Sequence, residues 1–208
     1  MAKENLARII QMSYTPTYMK ENSNIFILHG AFGDPNENWL PWLKTELEKL
    51  GCQVYIPLFP TPENQSLETW RLIFNSYQKK LTERSILVGH SIATAFILDI
   101  LEKLDHPIKA VFLISSFIQP LNNQNFDQIN QTFYRDNFDW KQIKKNCQHF
   151  YIIHSNNDPY VPLDHAQYIA NNLQENITII KNGGHFNTAS GYEKFPELLT
   201  KVITEINI

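Results

Sequence analysis

The stretch Ser85-Ile86-Leu87-Val88-Gly89-His90-Ser91-Ile92-Ala93, followed by Thr94-Ala95-Phe96-Ile97-Leu98-Asp99-Ile100, constrains the fold of this chain more than any other. An apolar run leads into a Gly-x-Ser-x-Ala step, and an apolar, helix-favouring segment leads out of it. A strand, a tight turn and a helix with one serine on the bend read this way. Such a bend holds its serine in a strained conformation, and only small residues two positions before and after it let strand and helix approach closely. Gly89 and Ala93 hold those two places. The same letters also fit a strand–helix junction with an incidental serine, so the segment alone does not decide.

The flanking chain repeats the strand-then-helix pattern. Residues 1–24 form an N-terminal extension, in which Leu6, Ile9 and Ile10 have the spacing of a short amphipathic helix. Residues 25–208 form a single domain that opens with the apolar run Ile25 to Leu28. Its predicted strands are Ile25–Leu28, Gln53–Phe59, Ser85–His90, Ala110–Phe117, Phe150–His154 and Ile177–Lys181. Helices are predicted over Trp39–Leu50, Leu67–Leu81, the segment after Ser91 to Leu104, Leu163–Leu173 and Tyr192–Ile206, with Pro196 in or breaking the first turn of the last. Ser66 is a good N-cap for the second of these, with Thr69 at the reciprocal position. Pro57 cannot donate a ladder hydrogen bond, which puts the second strand at a sheet edge, with the first strand between the second and the third. Strands that are almost continuously apolar and alternate with helices indicate an α/β fold: about six mostly parallel strands with helices on both faces. Residues 118–140 are polar and weakly periodic, and make the best candidate for a loop or small lid over a site.

Bulk properties exclude several classes of function. The chain has 208 residues, 43% of them hydrophobic and 19% charged, with a net charge of −3. That balance gives no electrostatic reason for nucleic acid or an anionic membrane as a partner. No apolar run is long enough to span a bilayer, and the N-terminus lacks a secretory apolar core, so a cytoplasmic location is expected. Cys52 and Cys147 are too few for a disulfide framework and suggest no zinc site. No feature identifies a protein partner.

In an open parallel sheet, ligands bind beyond the C-terminal strand ends, where the strand order reverses. Four loops fall there: His29 to Asp34, the Ser91 bend, Ser155 to Pro159, and Asn182 to Phe186. A serine, an aspartate and a histidine therefore share one end of the sheet, in the chain order Ser91, Asp158, His185. Competing residues are placed less well. His154 lies within a strand, His165 and Asp164 belong to a helix, His106 sits in a turn and His149 precedes a strand. The loop His29-Gly30-Ala31-Phe32 fits an oxyanion site, with the backbone amides of Ile92 and of Ala31 or Phe32 as donors.

Taken together, His29-Gly30, Trp39-x-x-Trp42-Leu43, Pro60-x-Pro62, Trp70, Val88-Gly89-His90-Ser91, Phe138-x-Trp140, Asn157-Asp158-Pro159-x-x-Pro162 and Gly184-His185-Phe186 resemble the α/β-hydrolase superfamily. Within it, the chain is similar to the retinoblastoma-binding protein 9 family of serine hydrolases, over about residues 25–205. The resemblance implies a compact hydrolase without a large cap domain, with Ser91, Asp158 and His185 as catalytic triad. Two departures stand out. Ala93 replaces the superfamily's usual glycine, and Leu50-Gly51-Cys52-Gln53-Val54 lacks the glutamate of the namesake's retinoblastoma-binding motif, so that partner is not implied.

The expected activity is cleavage of a small ester or amide through an acyl-enzyme, on a small-molecule acyl substrate and with no metal or organic cofactor. His29, Phe32, Phe117, Tyr160 and Phe186 lie at strand ends and are candidates for a small substrate pocket. Hydroxynitrile lyase chemistry uses the same triad and is not distinguished by sequence. The reading from another class is a catalytically silent module of the same fold that uses its surface for a protein partner.

Overall fold

In a computed structural model of the chain, residues 23–207 are described. The helix expected around Leu6 to Ile10 lies outside them. Six strands form one sheet in the order β2-β1-β3-β4-β5-β6: β1 Asn24–Leu28, β2 Gln53–Tyr55, β3 Ile86–His90, β4 Ile108–Ile114, β5 Cys147–Ser155 and β6 Ile177–Ile180. All five pairings are parallel. The helices are α1 Leu40–Glu48, α2 Leu67–Gln78, α3 Ala93–Lys103, α4 Gln124–Asn130, α5 Trp140–Lys145, α6 Leu163–Leu173 and α7 Pro196–Asn207.

The period-two alternation of the strands divides the core into two layers. On one face Phe26, Leu28, Leu87, Val111 and Leu113 pack against α2, α3, α5 and α6 through Trp70, Phe96, Ile143 and Ile169. On the other, Ile25, Ile27, Val88, Phe112 and Ile114 pack against α1 and α7 through Leu43, Leu47, Leu199 and Val202. Because both faces are covered, the strands carry no solvent-facing polar stripe, which is why they read as continuous apolar runs.

Several boundaries differ from expectation. β2 stops at Tyr55, so Pro57 lies beyond the edge strand instead of within it. β5 starts three residues earlier, at Cys147, because β4 pairs with this polar stretch from Ile108 onward. Pro196 opens α7, where its missing N–H is harmless. Ser66 and Thr69 complete a reciprocal capping box, threonine taking the place of the usual glutamate. The 118–140 insertion contains α4 and a 3-10 turn at Gln131–Phe133. It is tied down: Arg135 pairs with Asp99 at 3.1 Å and Glu102 at 2.8 Å on α3. Among the described residues no helix is long and apolar enough to cross a membrane.

Candidate active site

The strand order turns back at β1, which has β2 on one side and β3 on the other. Loops leaving β1 and β3 therefore meet at the C-terminal sheet edge, where an open α/β sheet places its ligands. Ser91 occupies the bend between β3 and α3 with φ 59°, in the left-handed region. For a residue with a Cβ this is strained and must be held from outside. The Ser91 amide donates to the Ile114 carbonyl at 2.8 Å, and the Ser91 carbonyl accepts from the Thr94 hydroxyl at 2.7 Å and from the Thr94 amide at 3.0 Å. A Cβ at Gly89 would lie 2.6 Å from Ile97 Cδ1 and 3.2 Å from the Ala93 backbone, so α3 sits against the strand as closely as glycine permits. Gly30 is just as confined: a Cβ there would come within 2.9 Å of Ser91 Cβ.

Asp158 and His185 form a hydrogen-bonded pair. His185 Nδ1 donates to Asp158 Oδ2 at 2.8 Å, and the carboxylate is almost fully buried. Ser115 Oγ also donates to Oδ2 at 2.8 Å, while the amides of Tyr160 and Val161 donate to Oδ1 at 2.9 and 3.0 Å. Burial by itself would raise the Asp158 pKa. The hydrogen bond and charge of His185, with the two amides, outweigh it and hold the carboxyl down at about 2. With Nδ1 committed as donor, Nε2 of a neutral His185 is the acceptor.

Other groups aim the histidine loop. Gly184 donates to Asn157 Oδ1 and Gly183 to Ser155 Oγ, both at 2.9 Å. His90 Nε2 donates to the His185 carbonyl at 2.7 Å, and Trp39 Nε1 donates to the Phe186 carbonyl at 2.9 Å. Burial foremost, then the neighbouring His185, pushes the His90 pKa down to about 3, so this imidazole is neutral. Nothing in the sequence marks Ser115, Asn157 and His90 as supports of the candidate triad. Each bonds to a partner more than 25 positions away, except the Asn157 contact with Ser155, so no local pattern marks them.

A cavity of about 230 Å³ lies over this edge and is lined by Gly30, Ala31, Phe32, His90, Ser91, Phe117, Tyr160 and His185, among others. The structure thus brings Ser91 and His185 to one space, with Asp158 behind the histidine. Of the five pocket candidates, Phe32, Phe117 and Tyr160 line the cavity, and two do not. Phe186 is fully buried between Tyr192 and Phe195, its ring centroid 5.0 Å from each. His29 is used up in the loop framework: Nδ1 donates to the Gly30 carbonyl at 2.9 Å and Nε2 accepts from the Phe59 amide at 3.0 Å. Its pKa is lowered, chiefly by burial. The Phe32 amide is also committed, donating to Thr61 Oγ1 at 2.7 Å. That leaves Ala31 and Ile92 as the oxyanion candidates with amides unpaired among the described residues. Ile92 stands at the N-terminus of α3, where free N–H groups and the helix dipole favour negative charge.

The insertion forms the remaining wall, contributing Leu121, Phe126 and Asn130. Phe32, Phe126 and Tyr160 follow one another across the mouth, with centroids 5.8 and 5.7 Å apart, and Tyr160 meets His185 at 5.1 Å.

Comparison with known proteins identifies the family of the chain. The chain matches the serine hydrolase family over residues 25–204. It is 30% identical over 174 residues to the hydrolase-named YdeN of Bacillus subtilis (strain 168), covering 83% of this chain and 90% of that protein. It is 27% identical over 156 residues to the rat serine hydrolase RBBP9, covering 74% and 81% of the two chains. The crystal structure of YdeN superposes with a TM-score of 0.83 over 90% of this chain and 100% of that one, at 28% identity. An α/β hydrolase from sediment of the Mar Chica lagoon, MGS-MChE2, shares the fold at a TM-score of 0.65 and 21% identity, over 90% and 93% of the chains.

Proposed function

The chain belongs to the serine hydrolase family and is a hydrolase of the α/β-hydrolase fold, and from that premise we propose that it cleaves a small ester or amide through a covalent acyl-enzyme on Ser91. The observation that carries this reading is the strained serine at φ 59°, sharing a cavity with a histidine whose Nδ1 is held by a buried carboxylate.

In this mechanism Ser91 Oγ attacks the acyl carbon while its proton passes to His185 Nε2. The carbonyl oxygen becomes an oxyanion, stabilised by the Ile92 and Ala31 amides. Collapse of the tetrahedral intermediate expels the alcohol or amine, which takes the proton from His185. Water then gives a proton to His185, attacks the acyl carbon and releases the acid, returning the proton to Ser91. Asp158 stays ionised throughout, orients the imidazole and stabilises its charged form. The cavity is small and the mouth is aromatic, which favours short acyl groups over long chains.

Two measurements test the proposal. A fluorophosphonate probe is expected to label Ser91 in the native protein and not in Ser91→Ala; equal labelling of the two would refute the assignment and favour a non-catalytic role. Hydrolysis of p-nitrophenyl esters from acetate to palmitate is expected to peak at short chains, and a maximum at palmitate would overturn the size argument.

A further inference from the structure

Asn130 ends α4 and is fully buried, yet it lines the same cavity as Ser91 and His185. Its carboxamide is only half satisfied. Oδ1 accepts from Gln65 Nε2 at 2.7 Å, whereas the buried Nδ2 has no acceptor among the described residues.

A network of hydrogen bonds sets the direction of this amide. The Phe32 amide donates to Thr61 Oγ1 at 2.7 Å, and the threonine hydroxyl passes its own proton to Gln65 Oε1. Gln65 must therefore present Nε2, which donates to Asn130 Oδ1 and to the Ile129 carbonyl at 3.2 Å. Turning Asn130 over would set two NH₂ groups against each other, so Nδ2 is left as the buried, unpaired donor in the cavity wall. The Tyr134 hydroxyl is near enough for a hydrogen bond from the Asn130 side chain to count among the influences on its pKa, but its own proton goes to Asp127 at 2.8 Å and Nδ2 meets no acceptor in full hydrogen-bonding geometry.

Buried donors in folded proteins are nearly always paired, and an unpaired one is a standing cost that a correctly placed acceptor removes. We propose that Asn130 is a specificity-determining residue, whose Nδ2 donates a hydrogen bond to a neutral oxygen of the substrate other than the scissile carbonyl. The preferred substrates are thus short esters or amides that carry an ether, hydroxyl or second carbonyl oxygen. A neutral acceptor fits better than a carboxylate, because the lining contains Glu37 and no lysine or arginine. The inference rests on Ser91 being the nucleophile.

The test compares isosteric esters with and without the extra oxygen. In the acyl part these are p-nitrophenyl pentanoate against the 2-ethoxyacetate and 3-methoxypropanoate; in the alcohol part, butyl acetate against 2-methoxyethyl acetate. The readout is the ether-to-alkyl ratio of kcat/KM, taken relative to the same ratio in Asn130→Leu and Asn130→Asp. Intrinsic ester reactivity and the fraction of active enzyme both cancel from it. For at least one pair, the wild-type ratio is expected to exceed that of both variants by about tenfold, as for loss of one buried hydrogen bond. Asn130→Asp keeps an acceptor for Gln65 and nearly the same shape, so it carries the test if the leucine variant does not fold. Ratios unchanged in every pair, with the esters still hydrolysed, overturn the role of Asn130 and leave the hydrolase mechanism standing. No hydrolysis and no fluorophosphonate labelling of the wild type would overturn both.

Discussion

Ser91, Asp158 and His185 depend on their neighbours, which hold the first two in otherwise unfavourable states. Ser91 keeps a left-handed backbone because Ile114 and Thr94 bind its amide and carbonyl. Asp158 stays ionised although buried because four donors converge on its two oxygens. Substituting Asp158→Asn would turn an N–H group toward one of those donors and remove the charge that steadies a protonated imidazole. Under the proposed mechanism kcat is expected to fall by roughly 10⁴ with little change in fold, as in other triads that lose their carboxylate. Steady-state kinetics beside a thermal melt would check this, and a loss below tenfold would mean that another group orients His185. Chain order identified these three residues as candidates. The commitment of Phe32 N–H to Thr61, which shifts the proposed oxyanion role to Ala31, was invisible because Thr61 is 29 positions away.

The strand–helix bend and the insertion are the elements that shape the site. At the bend, Gly89→Ala would press a methyl group onto Ile97 Cδ1 and the Ala93 backbone. It is expected to cost about 1–3 kcal/mol in urea unfolding, the range for overpacking a core. Shortening the neighbour in Gly89→Ala/Ile97→Val should recover part of that loss, because the contact with the Ala93 backbone remains. In the insertion, Arg135 is the tether to Asp99 and Glu102. Asp99 retains Arg71 and Lys103 when Arg135 is removed, so Arg135→Met is expected to spare global stability. KM should rise several-fold with kcat nearly unchanged, since the wall carrying Phe126 and Asn130 loosens while the Ser91 bend does not. An unaltered KM would show that the Gln65 bonds to Ile129 and Asn130 hold α4 without Arg135. Elements with strong periodicity, such as α2 and β3, were legible within a residue or a few. α5 was not, because six residues are too few for a period to show.

At the scale of the molecule, buried imidazoles couple the fold to pH. His29, His90, His154 and His165 all have pKa values lowered from the ordinary 6.5, chiefly by burial. His90 faces the imidazoles of His185 and His29, which oppose its charged form, and the His185 carbonyl and Asp158 carboxylate, which favour it but do not outweigh burial. Below pH 6.5 the unfolded chain therefore binds protons that the folded chain refuses, and stability falls with pH until the folded-state pKa is reached, about 3 for His90. Each such group contributes up to about 1.4 kcal/mol per pH unit across its window. Urea midpoints are expected to drop steadily from pH 7 to pH 4, and His90→Gln, which keeps an N–H for the His185 carbonyl, should flatten that slope. A slope unchanged in this variant would show that His90 does not contribute to it.

The amino-acid sequence by itself determined the α/β class, the parallel sheet with β1 between β2 and β3, and the loops that meet over its edge. These follow from local order: apolar runs, glycines and caps act within a few residues, and parallel pairing between alternating elements leaves few topologies. Tertiary structure alone decided which side chains border the cavity and which are consumed in holding it. His29 and Phe186 sit at the right strand ends but turn into the framework, while Asn130, from a segment with no clear pattern, enters the wall with a donor to spare. That division depends on partners tens of residues apart, because a hydrogen bond is satisfied by whatever the fold brings within 3 Å and not by what adjoins it in the chain.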